Sequence, residues 1–370
     1  MQTIPDGKKI SPSLVFFTIH AMQYGMATLG FQRVIAKTAG YDAWISVIIA
    51  GILTFVLMWI IFKIIDISGM DLAQLQMYIF GKKIGSVLNI FSILYFCLYV
   101  ITILRTYIEV VQVWMFEDLN IFWFSLFFLI LCIFIVNGGF RTVTAMMFFS
   151  VVLPAYLIVI FAFTLPYADF RHLLPVFDHS TKEIMTASYQ LTQAYMGYEA
   201  FLMYHPFVKG YKESKKWVYL ALAVSTLLFL YTTIISFAYY SEGQLQNFKW
   251  ATLSIWKIVH LPVVERFEYV GIANWCLIIL PNISFALWCG SRMLKQTLKI
   301  SQRKGIILIS FIPLIVVPFF KTHQQIDRLN YFFGLTGYLA IFMYTPFLLI
   351  LVWFVTKRRN KSGNQQKKSF

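Results

Sequence analysis

Glu199 is the one acid in the middle of a long apolar run, in Tyr189-Gln190-Leu191-Thr192-Gln193-Ala194-Tyr195-Met196-Gly197-Tyr198-Glu199. A carboxylate in such surroundings is costly unless protonated or paired. It can couple a proton or hold an amine; kept neutral, it hydrogen-bonds to a neighbouring helix. An earlier run carries His20, Gln23 and Thr28 around Gly25 and Gly30. A lone polar group such as His20 most often joins helices to one another. Tyr95 and Tyr99 lie four apart and share a helix face, as aromatic packing or as the wall of a site. Arg105 and Glu109 have the same spacing and read as a structural ion pair. Pro281 removes a backbone hydrogen bond from an apolar helix, and Asn282 beside it is expensive in lipid unless it faces a cavity or a partner.

No catalytic constellation emerges. The six histidines (20, 172, 179, 205, 260 and 323) show no metal-ligand spacing, and His172 and His179 with Asp169 and Asp178 form no diagnostic set. The cysteines Cys97, Cys132, Cys276 and Cys289 lie in apolar runs with no CxxC pair. There is no GxSxG or phosphate-binding loop. The sequence implies no enzyme and no cofactor.

These residues sit on helices that must cross a bilayer. Of 370 residues, 59% are hydrophobic and 13% charged, against about a quarter charged in soluble domains. That excludes a soluble enzyme, a disordered chain and a nucleic-acid-binding domain. A hydrocarbon core of about 30 Å needs about 20 apolar residues per helix. Ten such spans are expected, over about 12–32, 43–62, 84–104, 121–138, 143–165, 184–206, 217–240, 267–290, 305–320 and 331–356. Leu72–Phe80, before Gly81-Lys82-Lys83, is amphipathic and reads as a helix lying on the membrane surface. Lys8 and Lys9 precede an apolar run too long for a cleavable signal. The net charge of +15 is spread over short loops. With both termini in the cytoplasm, the inner side holds 21 of the 31 basic residues and four acids, which satisfies the positive-inside rule.

The first and sixth runs are both interrupted by glycine, Gly25 and Gly30 in one and Gly197 in the other. They hold equivalent places in two five-helix halves. Paired interrupted helices point to a binding site at the midplane, because an unwound turn frees backbone groups that only protein, water or a ligand can satisfy.

Several segments together resemble the B-subunit family of spore germinant receptors, permease-like proteins of the amino acid–polyamine–organocation superfamily. These are Ile10-Ser11-Pro12 leading to Gly25 and Arg33, then Asp42-Ala43-Trp44-Ile45-Ser46; Arg105 with Glu109; Leu173-Leu174-Pro175-Val176; Gly197-Tyr198-Glu199; Glu265-Arg266-Phe267-Glu268 with Trp275; and Gly337-Tyr338, Pro346 and Lys357-Arg358-Arg359. They cover essentially the whole chain. Three positions depart from the family pattern. Ala27 replaces a second glycine, Phe31-Gln32-Arg33 replaces a Leu-Pro-Arg ending, and Leu119-Asn120 lacks a Thr-Pro.

The resemblance implies an all-α integral membrane protein of LeuT-like fold, two inverted five-helix repeats over about 12–165 and 184–356 with broken first and sixth helices. The permease-like domain then covers 1–356, and 357–370 form a basic cytoplasmic tail. It implies an amino acid or similar germinant bound by Gly25, Tyr95, Tyr99, Met196, Gly197, Asn282 and Ala286; the coupling or gating role of Glu199 is read from its place in mid-span. It also implies a place in the inner spore membrane beside an A-type membrane subunit and a C-type lipoprotein. The competing reading is a proton- or sodium-coupled amino acid transporter, which the same fold serves.

Overall fold

The computed structural model describes residues 4–259 and 265–367. His260 and the end of the tail, 368–370, lie outside the described residues. Among the described residues there is no strand; the single β-bridge joins Ile10 to Val208.

Seven helical stretches are long and apolar enough to cross a bilayer: Phe31–Ser68, Leu72–Trp114, Phe140–Tyr167, Lys215–Tyr239, Phe267–Leu298, Gln302–Phe319 and His323–Arg358. Leu14–Gln23 and Ile121–Asn137 are shorter apolar helices. The remaining expected span is a series of short pieces, Thr181–Gln190, Thr192–Tyr195 and Phe201–Tyr204. With Leu14–Gln23 and Phe31–Ala39 taken as halves of the first span, the ten expected spans each have a counterpart.

The two irregular spans are broken where glycine stands. Leu14–Gln23 ends at Tyr24, Gly25 is extended (φ −115°, ψ −144°), and a 3-10 turn over Met26–Leu29 leads into Phe31–Ala39. In the sixth span Met196 is extended and Gly197 has φ +113°. That left-handed region costs a residue with a Cβ about 1–2 kcal/mol. Gly81 also has a positive φ, +77°, and turns the chain between the amphipathic Leu72–Phe80 and the third span. The two helices fold back on one another across this turn, with Asn89 donating to the Ala73 carbonyl and Gln76 to the Ser92 hydroxyl.

Interior polar side chains tie the spans together. The His20 ring is 2.8 Å from the Ser225 hydroxyl, joining the first span to the seventh. Gln23 donates to the Tyr195 carbonyl at 3.2 Å, holding the two broken spans together beside their breaks. On the side of the termini, the Ile10 amide donates to Phe207 and the Lys209 amide to Ile10. The tenth span carries a π-helical stretch, Leu339–Tyr344, just after Gly337. Single π turns inside helices are common near functional sites.

Candidate functional site

A cavity of about 470 Å³ opens on the face opposite the termini. This lies within the roughly 300–1,000 Å³ of small-molecule sites. Its walls come from the first, third, sixth and tenth spans and from the loop carrying Lys249 and Trp250. Its buried end is Met22, Met26, Met196, Tyr99 and Phe333. Met22 and Met26 flank the break in the first span, and Met196 stands at the break in the sixth.

Two of the expected site residues, Tyr99 and Met196, line this cavity. The Tyr99 hydroxyl reaches the Met22 sulfur at 3.9 Å, and Met196 packs on Gly337 of the tenth span. The others lie behind this floor. A Cβ on Gly25 would stand 3.2 Å from Nδ2 of Asn282, so the break in the first span faces the eighth. Asn282 is fully buried, and neither Nδ2 nor Oδ1 has a hydrogen-bond partner. Ala286, also fully buried, follows one helical turn later. A Cβ on Gly197 would lie 2.6 Å from Cβ of Met22.

Glu199 belongs to the same group of contacts. Its Oε1 accepts from the Tyr95 hydroxyl at 2.7 Å and its Oε2 from the Gly197 amide at 2.7 Å. The carboxyl thus bonds across the break of its own helix and to the third span. These two hydrogen bonds pair polar groups that burial would otherwise leave unsatisfied. They brace the turn that Gly197 opens.

The mouth is charged. Lys249 contacts Glu109 at 3.2 Å and Asp327 at 2.8 Å, and His323 bonds to Glu109. The expected Arg105–Glu109 pair does not form. The Arg105 guanidinium turns to the Phe320 carbonyl, with Nε at 2.6 Å, and Glu109 pairs with Lys249 instead. Helical spacing placed the two on one face, but the loop after the seventh span brings a cation closer. Further in, Gln193 donates to Asn330, which donates to Thr106, so one amide joins the third, sixth and tenth spans. Sequence reasoning missed this rim. Its one local trace is His323, Asp327 and Asn330 at i, i+4 and i+7, a polar stripe at the start of an apolar span.

The Glu109 side chain is nearly buried, and Asp327 is more than half exposed. Lys249→Gln is therefore expected to destabilise the chain by about 1–3 kcal/mol, because it strips the lysine from a buried carboxylate. Asp327→Asn is expected to cost less than about 1 kcal/mol. Thermal denaturation of both variants in nanodiscs measures the difference.

A family model described as spore germination protein matches residues 9–327. The chain is 40% identical over 351 residues to spore germination protein GerQB of Bacillus cereus, covering 95% of this chain and 98% of that one. Among solved structures it is similar to MhsT in complex with L-phenylalanine, with a TM-score of 0.63 and 11% identity, over 92% of this chain and 98% of that one. It is also similar to Mhp1, a nucleobase-cation-symport-1 family transporter in a closed conformation with bromovinylhydantoin bound. There the TM-score is 0.61 and the identity 15%, over 95% of this chain and 80% of that one. At these identities the structural likeness shows the fold, that of LeuT-type transporters with two inverted five-helix repeats and broken first and sixth helices. Neither the relative nor the structural neighbours are enzymes.

Proposed function

Because this chain belongs to the spore germination permease family and is a multi-pass membrane protein, we propose that it is the germinant-sensing subunit of a spore germination receptor. In this reading an amino acid or similar small nutrient binds between the broken first and sixth spans. One observation carries it: the cavity ends on the methionines that flank both breaks, and behind that floor the buried Asn282 has no partner. An unpaired buried amide is a standing cost that a ligand can remove.

The roles then divide by place. Tyr99 and Met196 wall the ligand. Gly25 and Gly197 form the breaks at the closed end, where the amide and carbonyl of both glycines are paired within the chain, Asn282 offers its free amide to a polar group of the ligand, and Ala286 leaves room beside it. Tyr95 positions Glu199, which gates by holding or releasing the turn at Gly197. The site lies between repeats over about 12–165 and 184–356, with 357–370 as a basic tail. Both termini face the cytoplasm, by the distribution of basic residues, and the membrane is the inner membrane of the spore. Ligand binding shifts the helix arrangement, and an A-type membrane subunit and a C-type lipoprotein receive that shift. Only differential affinity for the two arrangements can drive it.

The second reading, a proton- or sodium-coupled amino acid transporter, is favoured by the transporter fold of the structural neighbours. Ligand binding and uptake measured together on the purified chain in liposomes separate the two. Binding without concentrative uptake is expected; robust coupled uptake would overturn the sensor reading. Glu199→Gln is expected to weaken the response by removing the bonded carboxylate. A transporter coupled through Glu199 would lose proton-driven uptake in this variant and keep exchange.

A further inference from the structure

The side chains lining the cavity sort by burial into two chemistries. The charged ones, Arg33, Lys249 and Asp327, are the more exposed, and each already has a partner. Arg33 donates to the Gln246 carbonyl at 2.8 Å, and Lys249 and Asp327 hold one another. The buried ones carry no charge: Met22, Met26, Met196, Tyr99 and Phe333. Two threonines complete this inner wall, Thr102 on the third span and Thr192 on the sixth. Both hydroxyls are buried and have no hydrogen-bond partner. Thr226 and Thr232 donate to the carbonyl four residues back, and Thr102 does not. A threonine has two accessible rotamers in a helix, one of which forms this back-bond. Thr102 is therefore in the state that leaves its hydroxyl free for another partner.

Resting on the binding site proposed above, we infer that the ligand is a neutral amino acid with an apolar side chain of leucine, valine, methionine or phenylalanine type. The side chain packs on the methionines and Phe333, and the Thr102 and Thr192 hydroxyls bond the polar group nearer the mouth, leaving Asn282 the one at the break. An acidic or basic side chain would be buried against uncharged walls with no counter-ion, which the site penalises heavily. A very small side chain would leave the methionine floor without contacts. Methionine is unbranched and mobile, so the floor adapts among apolar shapes of similar bulk.

The test is isothermal titration of the purified full chain in nanodiscs with leucine, valine, methionine, phenylalanine, alanine, aspartate and lysine. The best of the first four is expected to bind at least about 100-fold tighter than aspartate or lysine, the charge being unpaired. It is expected to bind at least about tenfold tighter than alanine, through missing methylenes. Thr102→Val and Thr192→Val keep volume and lose only the hydroxyl. Each is expected to weaken binding about tenfold without changing the order of preference, with thermal midpoints confirming the fold. Aspartate or lysine binding as tightly as leucine would overturn this inference and leave the site standing. So would unchanged affinity in both valine variants. Binding of no amino acid of any class would overturn the inference together with the reading beneath it.

Discussion

Asn282→Leu is expected to leave the protein as stable as before, or more so, while ligand binding falls by at least about 100-fold. The two changes have one origin. Asn282 is fully buried on the eighth span, and both atoms of its amide lack partners. Each unsatisfied buried polar group costs about 1–3 kcal/mol, and an apolar residue of the same shape removes that cost. Leucine keeps the branched outline but is bulkier, so an overpacking cost of about 1–3 kcal/mol offsets part of that gain. The function lost is the amide's hydrogen bonding to a ligand held at the break beside Gly25. Thermal denaturation and equilibrium binding on the same nanodisc preparation check both halves. A lowered midpoint with binding intact would make Asn282 a packing residue.

Gly197→Ala is expected to do the opposite and damage fold and site together. The backbone at φ +113° is strained for any residue with a Cβ. That Cβ would also stand 2.6 Å from Cβ of Met22, too close for either backbone to stay in place. Strain and displacement together are expected to cost about 2–4 kcal/mol. Met22 would be pushed off Tyr99, and the Gly197 amide off Glu199. Gly25→Ala is the control. Its φ is ordinary, and its Cβ would meet the Asn282 amide at 3.2 Å and the Met22 carbonyl at an ordinary 3.9 Å. It should fold normally, and Gly25→Val should lose the ligand response at near-normal membrane levels. Membrane abundance, thermal midpoint and ligand binding across the three variants separate the two glycines.

The sequence carried the parts of this fold that repeat at short range. Apolar runs of bilayer length marked the spans, and basic loops marked one side of them. Glycine stands at both breaks, but Gly51, Gly271 and Gly290 stand in helices that stay unbroken, so it was the matching positions of Gly25 and Gly197 in the two halves that marked them. Gly81 after an amphipathic stretch marked the bend into the third span. The missed residues depend on contacts between distant segments. Glu109 is held by Lys249 and His323, which lie far along the chain, so its neighbour Arg105 was the only partner in sight. Met22 and Met26 have no periodic signature, since a methionine facing a cavity and one facing a neighbouring helix look alike in an apolar run. Asn330, at the edge of the tenth span, has meaning only once Gln193 and Thr106 are seen beside it.

Ala27 offers the most direct view of the central claim. It lines the cavity in the turn between the halves of the first span and is half-buried. The native Cys97, Cys132 and Cys289 are buried and Cys276 is only partly accessible, so the native chain gives the background for thiol labelling. In Ala27→Cys, a small water-soluble thiol reagent applied from the face opposite the termini is expected to label the new cysteine. The amino acid that triggers germination is expected to slow that labelling at least about tenfold, by filling the cavity above it. Labelling at the same rate with and without every germinating nutrient would contradict a binding site between the broken helices.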